Sequence, residues 1–382
     1  MPTKESTSRL KATKRSSPIR VGLTIAHAND VPSVLWSNGI NQNIVYLAEV
    51  MQALAGVEVS LVCYPFDGLP VHPIGQCFKI PTINSRDDAM KLDAIVELGI
   101  RLERDFTQPY RDKGGKLVSY MAGNAMVMNF ESVFLEGPAS ARGSVLSPDG
   151  FDAVWITPQH MRMNAAATAL MSGPVDEAPH IWSPRGIEHA IMTLGIDPKF
   201  KGRPEQWSLA TFDPNINVVK SFHIPLLAAE AAHRKQPDQI RRMMLFCAKH
   251  LAGRPHVESY VANSTLGKAK KITVEERHNI VAMLGREVDC VITHQWENDL
   301  NYLYWDTLFL GYPLIHNSRR IEHAGYYYPD FNPSEGGEAL LDALANHKGQ
   351  TEADIGAVWT YHTGNKINQQ RYHQLLEKVL DA

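Results

Sequence analysis

The stretch HQWENDLNYLYWDTLFLGYPLIHNS, residues 294–318, decides the fold of this chain. It follows Val288–Thr293 (VDCVIT), an apolar run with the composition of a buried strand. After a polar loop, the segment Asn301–Leu310 has the apolar spacing of a helix. A glycine at 311 suits the end of that helix, and Pro313–His316 starts another strand. The order strand, loop, helix, strand predicts one unit of a parallel α/β sheet.

Polar side chains follow both strands of this unit. His294, Gln295 and Asn298 come after the first strand, and His316 and Asn317 end the second. In an open parallel sheet, ligands bind outside the carboxyl ends of the strands. The amides of the loop and the start of the following helix favour an anion such as a diphosphate. We therefore expect a nucleotide site here, with the residues from His294 to Asn298 near phosphate.

The same alternation runs through the first half of the chain. Ile19–Ala26 (IRVGLTIA) reads as a buried strand, Asn41–Leu54 as a helix and Val57–Cys63 as the next strand. Further strands and helices alternate up to Lys199–Pro204 (KFKGRP), a polar and turn-rich linker. A new series of strands and helices then starts at Ser208–Phe212. The pattern predicts two doubly wound units.

The predicted fold is therefore α/β, with two Rossmann-like domains facing a cleft. We expect a disordered basic tail at 1–18, a first Rossmann-like domain at 19–204, a second at 205–350, and a C-terminal helical segment at 351–382. Within the second domain, the apolar spacing of Gln239–His250 predicts a helix, and Val257–Ala262 is interpreted as a strand.

Composition indicates an ordinary globular protein. The 382 residues are 44% hydrophobic and 21% charged, with a net charge of −3, which does not indicate a nucleic-acid binder. No run approaches the roughly 18 apolar residues of a membrane span, and the start lacks an apolar signal core, so we expect a cytoplasmic protein. The first 20 residues carry six basic side chains against one acidic one, which is typical of a solvated or polyanion-binding arm.

Several classes of site are absent from the sequence. The four cysteines form no CxxC pair, and the 16 histidines show no HExxH spacing, so no metal site is expected. Neither a GxSxG elbow nor a Walker loop is present, which argues against serine hydrolases and P-loop kinases. Because the N-terminal loop also lacks GxGxxG, there is no dinucleotide fingerprint.

The second half resembles GT-B glycosyltransferases. These enzymes carry an acidic residue in the C-terminal domain, followed five positions later by Gly, then x-Pro and an apolar strand. Asp306, Gly311, Pro313 and Ile315 match that pattern position by position. The family acid is usually Glu and contacts the nucleotide ribose, so the resemblance implies this role for the shorter Asp306. It also implies donor binding by the polar strand-end residues named above. In this family the N-terminal domain at 19–204 would bind the acceptor and the C-terminal domain at 205–350 the nucleotide-sugar donor, and the C-terminal helix within 351–382 would pack back on the N-terminal domain.

Two further segments carry the resemblance. In FDPNINVVKSFHIPLLAAE, residues 212–230, Lys220 matches the basic residue that GT-B enzymes place before a helix to bind the donor diphosphate. In DVPSVLWSNGINQN, residues 30–43, Asn38 and Gly39 match a glycine-containing loop that faces the donor phosphates. The motifs WSNGINQN and GYPLIHNS also resemble motifs in a group of bacterial proteins of GT-B-like fold, and this resemblance extends over most of residues 20–345.

The catalytic base is open at this point. Inverting GT-B enzymes use an Asp, Glu or His of the N-terminal domain to deprotonate the acceptor hydroxyl. Asp30, in the loop after the first strand, is the leading candidate, followed by His27 and His160. Glu131 could also face the cleft. Retaining enzymes of this type often have no enzymic base, so the stereochemical outcome is not predicted.

The resemblance implies sugar transfer from a nucleotide-diphosphate sugar, such as a UDP-sugar, to a hydroxyl acceptor, with no metal required. A bacterial glycan is the first acceptor to consider. A hydroxylated base in DNA is an alternative, because the basic arm could hold phosphates while the base is flipped into the cleft. A second alternative is a nucleotide-sugar-binding protein without catalysis.

Overall fold

The computed structural model of the protein describes residues 17–28, 35, 39–66, 71–134 and 150–382. Among these residues, two parallel β-sheets form separate lobes. The first lobe contains a seven-stranded sheet in the order β3-β2-β1-β4-β5-β6-β7. Its strands are β1 Ile19–Ala26, β2 Val57–Tyr64, β3 Thr82–Ile83, β4 Ala94–Glu97, β5 Lys116–Met121, β6 Ala153–Ile156 and β7 Val175–Glu177.

The second lobe repeats this design with six strands in the order β10-β9-β8-β11-β12-β13. The strands are β8 Trp207–Thr211, β9 Ile240–Leu245, β10 Ile272–Val274, β11 Cys290–Ile292, β12 Leu314–His316 and β13 Tyr326–Tyr327. In both sheets the order reverses beside the first strand of the lobe, so a crevice opens at the carboxyl ends of the two central strands.

Helices connect the strands as crossovers. In the first lobe they are α1 Gly39–Gln52, α2 Pro73–Phe78, α3 Arg86–Ala89, α4 Arg104–Asp112, α5 Ala125–Phe134, α6 Pro158–Met171 and α7 Arg185–Leu194. The later helices are α8 His223–Lys235, α9 Pro255–Asn263, α10 Thr265–Lys268, α11 Ile280–Leu284, α12 Tyr302–Phe309, α13 Pro333–Asn346, α14 Glu352–Thr360 and α15 Lys366–Asp381.

Continuous apolar runs form the central strands because both faces of each parallel sheet are covered by helices. In β1, Val21, Leu23 and Ile25 point to one face and are at most 1% exposed. Thr24, on the other face, is equally buried and donates its hydroxyl to the carbonyl of Ile100. This double burial is why the quoted strands of both halves could be recognised.

The same double burial makes two predictions wrong. Gln239–His250 was expected to be helical, but it contains strand β9, which lies between β8 and β10. Adjacent Met243, Met244 and Leu245 are all buried, as in a central strand, so their apparent helical spacing was accidental. Val257–Ala262, expected to be a strand, lies in helix α9, which Pro255 starts from the first turn.

The last helix lies against the first lobe, where α15 packs on α1. The hydroxyl oxygens of Tyr372 in α15 and Tyr120 in β5 are 2.8 Å apart, and the Tyr372 hydroxyl donates to the carbonyl of Pro179. The predicted α/β class with two Rossmann-like sheets is confirmed. The domain boundaries at 204 and 350 stay predictions. None of the described helices is long and apolar enough to cross a membrane.

Candidate active site

A cavity of about 340 Å³ lies between the two lobes. It lies beyond the carboxyl ends of the central strands, where a doubly wound sheet binds ligands. The first lobe contributes Gly39, Asn43, Asn124, Thr157, Gln159 and His180 among others, and the second contributes Lys220, Arg277, Asn298, Asn301, Tyr302 and Asp306. Both lobes therefore form the same site.

Four of the described helices with at least eight residues begin at this cavity. Gly39 and Tyr302 are the first residues of α1 and α12, while Asn124 and Thr157 directly precede α5 and α6. The first turn of each of these described helices contains no Asp or Glu. The partial positive charge of four helix N-termini is therefore not cancelled within the helices, and the cavity favours an anion.

Two cations strengthen this preference. Lys220 lies in the loop after β8, and its backbone pairs with Asn217 and Gln295. Burial lowers the pKa of Lys220 to about 8, Asp213 opposes this shift and Arg277 adds to it. Arg277 follows β10 and lines the cavity from the same lobe. Sequence reasoning missed Arg277, because a charged residue in EERHN carries no local signal of its position beside Lys220.

Asp213 organises the carboxyl ends of β8 and β11. It is buried, and its carboxylate accepts hydrogen bonds from the hydroxyls of Thr211 and Thr293. Nε2 of Gln295 donates to the same carboxylate over 2.7 Å. Gln295 in turn accepts from Asn298, which lines the cavity. The predicted residues Gln295 and Asn298 are thus brought together, but only Asn298 borders the open space.

The other predicted strand-end residues support the site from behind. Asn317 bonds through both amide atoms to the backbone of Gln295. His316 accepts the amide of Ser318 at Nδ1, and Nε2 lies 2.8 Å from the carbonyl of Ala324, to which it donates. Burial lowers the pKa of His316 to about 4, so it is a neutral histidine with both ring nitrogens bonded.

His294 also lies outside the cavity lining. Its Nδ1 is 3.0 Å from the hydroxyl of Tyr328, and its ring packs on Phe331. Burial lowers its pKa to about 4. The structure therefore places His294, His316 and Asn317 at the base of the loop, whereas Lys220 and Asn298 reach the cavity.

Asp306 lines the cavity in an unexpected environment. It is 2% exposed, and its Oδ1 accepts a hydrogen bond of 2.8 Å from the indole nitrogen of Trp182 in the other lobe. Burial raises the pKa of this carboxyl to about 7, against a smaller lowering by the Trp182 hydrogen bond. Among the described residues that line the cavity, Asp306 is the one acidic side chain. Asp306, which the resemblance predicts to contact ribose, therefore also forms a hydrogen bond between the two lobes.

The candidates for a catalytic base are scattered. His27 bonds to the carbonyl of Pro65 and does not line the cavity. His160 is buried and does not line the cavity, although its neighbour Gln159 does. Burial together with the Lys220 charge lowers the pKa of His160 to about 3. Glu131 accepts the backbone amide of Val218 from the other lobe. Asp30, like the donor-site candidate Asn38, lies outside the described residues.

His180 was not predicted and does line the cavity. Its Nε2 accepts from the indole nitrogen of Trp305, which can only donate, so the proton sits on Nδ1. Nδ1 faces the amide of Gln159, and turning that amide lets Oε1, which has no other partner among the described residues, accept the proton. With both nitrogens bonded and its pKa lowered by burial to about 3, His180 is neutral.

The described residues contain no group of three or more His, Cys, Asp or Glu side chains that could hold a metal ion. All four cysteines are free thiols.

The family described as "Protein of unknown function (DUF2827)" matches residues 21–376 of the chain. No curated protein matches its sequence. The fold is similar to sucrose-phosphate synthase from Thermosynechococcus elongatus, with a TM-score of 0.59, 13% identity, and coverage of 95% of this chain and 99% of that one.

A glycosyltransferase from Rickettsia africae has a TM-score of 0.54 at 11% identity, covering 95% of this chain and 99% of that one. HepE from Anabaena, solved in complex with UDP-glucose, has a TM-score of 0.54 at 13% identity, covering 94% and 100%. At such low identity these similarities establish the fold, which is GT-B.

Proposed function

We propose that this chain, which belongs to the DUF2827 family, is a GT-B glycosyltransferase that moves a sugar from a nucleotide-diphosphate sugar to a hydroxyl acceptor. The observation that carries the proposal is the cavity between the lobes, where Lys220, Arg277 and four helix N-termini converge. A diphosphate is the ligand that this concentration of positive charge and backbone amides fits.

The same groups fit the chemistry. When the bond between sugar and diphosphate breaks, negative charge grows on the departing phosphate oxygen. Lys220, which is partly buried, and Arg277, which is exposed, both line the cavity and are placed to stabilise that charge. We propose that these two side chains take the part of a metal ion, so that the reaction needs none.

A UDP-sugar is the donor to test first. HepE, which shares the fold, was solved with UDP-glucose, and the other similar structures include a synthase and a glycosyltransferase. The volume of about 340 Å³ lies within the range of small-ligand sites. Of the predicted donor-binding residues, Gly39, Lys220, Asn298 and Asp306 line this volume, and they are the ones we assign to direct contact.

The acceptor enters from the first lobe, and we propose a bacterial glycan hydroxyl. His180 cannot take its proton without breaking the bond to Trp305, since both ring nitrogens are engaged. No Asp or Glu of the first lobe lines the cavity among the described residues. Asp30 therefore stays our candidate for the base, and Asp30→Asn should abolish transfer while leaving UDP affinity unchanged.

Binding of nucleotides tests the proposal directly. We expect UDP or another nucleoside diphosphate to raise the melting temperature, and Lys220→Met to weaken binding at least tenfold because the buried anion loses its cation. Lys348→Met, which removes an exposed lysine, is the matched control and should bind like the wild type. If UDP, GDP, dTDP and CDP all leave the melting temperature unchanged, the proposal is wrong.

Release of free UDP from UDP-sugars separates an enzyme from a binding protein. An enzyme releases UDP in proportion to added acceptor, whereas a binding protein releases none. DNA as acceptor has its own signature, which is duplex binding that falls with salt and disappears when residues 1–18 are deleted. Duplex binding with this signature would favour DNA over a glycan.

A further inference from the structure

Asn298 is a buried amide residue in the wall of the cavity. Its side chain is 4% exposed and lines the cavity. An Asn amide has a donor end and an acceptor end, and they recognise opposite chemistry. A phosphate oxygen needs the donor end, whereas a sugar hydroxyl can donate to the acceptor end. The orientation of this amide therefore decides its ligand.

A hydrogen-bond chain that runs from the buried carboxylate of Asp213 through Gln295 to Asn298 sets that orientation. Asp213 is 1% exposed, and although burial raises its pKa to about 6, it is ionised at pH 7.5 and can only accept. Nε2 of Gln295 donates to Oδ1 of Asp213 over 2.7 Å and to the hydroxyl oxygen of Thr293 over 3.0 Å. Both N–H groups of the Gln295 amide are thus used on the side of the carboxylate.

Gln295 cannot turn to reverse this arrangement. Asn317 holds its backbone amide and carbonyl at 2.9 Å each, and the backbone of Lys220 pairs with it from the other side. Turning the amide alone would place Oε1 against the carboxylate of Asp213. Oε1 therefore faces Asn298 and accepts from its Nδ2 over 2.7 Å.

We propose that Asp213, acting through Gln295, fixes Asn298 with its Oδ1 towards the cavity, where it accepts a hydrogen bond from a hydroxyl of the bound nucleotide sugar. No described residue donates to that Oδ1. This inference rests on the proposed function and deepens it. The sequence predicts that Asn298 lies near phosphate, whereas we assign it to a hydroxyl. Asp213 and Gln295 are positioning residues, and Asn298 determines specificity.

Fluorinated donors test the ligand contact. Fluorine replaces a hydroxyl with little change in size but cannot donate. We expect one monofluoro analogue of UDP-glucose to bind the wild type about fivefold to tenfold more weakly than UDP-glucose itself. Analogues altered on the glucose and on the ribose show which hydroxyl is read. In Asn298→Ala this difference should fall below twofold. If no analogue differs from UDP-glucose in the wild type, the contact is absent.

We call the hydrogen-bond chain from Asp213 through Gln295 to Asn298 the relay. Moving its carboxylate from position 213 to position 298 tests it. Asp213→Asn lets the Gln295 amide turn and should abolish the fluorine discrimination, and Asn298→Asp sets a carboxylate against Oε1 of Gln295. In the double variant, Gln295 can donate to Asp at 298 and accept from Asn at 213. We therefore expect the double variant to regain discrimination and to melt higher than either single variant.

Asp289→Asn is the matched control, since Asp289 accepts a backbone amide at the opposite end of β8. It should lower stability without changing discrimination. The melting temperatures of the four relay proteins need no ligand, so they test the relay even if no nucleotide sugar binds. The relay is overturned if the melting temperature of the double variant is no higher than the sum of the two single effects predicts. Absence of all nucleotide binding instead overturns the proposed function.

Discussion

Replacing Asp306 by Asn should stabilise the protein, and more so as the pH rises. The carboxyl is 2% exposed and accepts one hydrogen bond, from Trp182. Asn keeps an oxygen for that bond and removes the buried charge. Burial raises the pKa of Asp306 from 3.8 to about 7. A folded state that binds this proton more tightly loses stability as the pH rises from the unfolded pKa to the folded one.

The size of the effect follows from the shift. Each pKa unit is worth about 1.4 kcal/mol, so between pH 5 and pH 8 the wild type should lose about 2.5 kcal/mol that Asp306→Asn does not lose. With roughly 2.1 cal/mol/K of unfolding entropy per residue, the 382 residues convert this to about 3 °C. The pH dependence, not the stability at one pH, is the quantity to measure.

Thermal unfolding of both proteins from pH 5 to pH 8 measures it. The variant's advantage in melting temperature should be small at pH 5 and grow by about 3 °C at pH 8. Asp381→Asn, at an exposed position near the C-terminus, is the control and should follow the wild type. Parallel curves for the wild type and Asp306→Asn would show that Asp306 is not held in a charge-excluding site, and would refute the reasoning.

Two further predictions concern the cations of the cavity. Because burial lowers the pKa of Lys220 to about 8, UDP affinity should fall by up to tenfold per pH unit above pH 8. Calorimetry from pH 7.5 to 9.5 measures this fall. A fall of equal slope in Lys220→Met would assign the effect to another group. Since we assign the leaving-group charge to Lys220 and Arg277, UDP release from the UDP-sugar should survive EDTA, and recovery of lost activity by Mg²⁺ or Mn²⁺ would contradict that assignment.

The fold could be predicted because its signals are local. Apolar runs such as Ile19–Ala26 identify buried strands, and Gly311 followed by Pro313 marks the end of a helix and the start of a strand. Strand β9 shows the limit of such signals. Three adjacent buried residues, Met243 to Leu245, fit a short central strand or part of a helix, and only pairing with β8 and β10 decides between them.

The site divides in the same way. The sequence indicated Asn298 because it follows a strand whose carboxyl end a parallel sheet brings to the ligand-binding edge, and it indicated Lys220 and Asp306 through their resemblance to GT-B motifs. It could not indicate that Trp182 bonds to Asp306, 124 positions away, or that Asp213 bonds to Gln295, 82 positions away. Periodicity reports how a segment meets its own neighbours in the chain. The partner and the charge state of a buried polar group depend on which distant segments pack against it, and only the tertiary structure decides that.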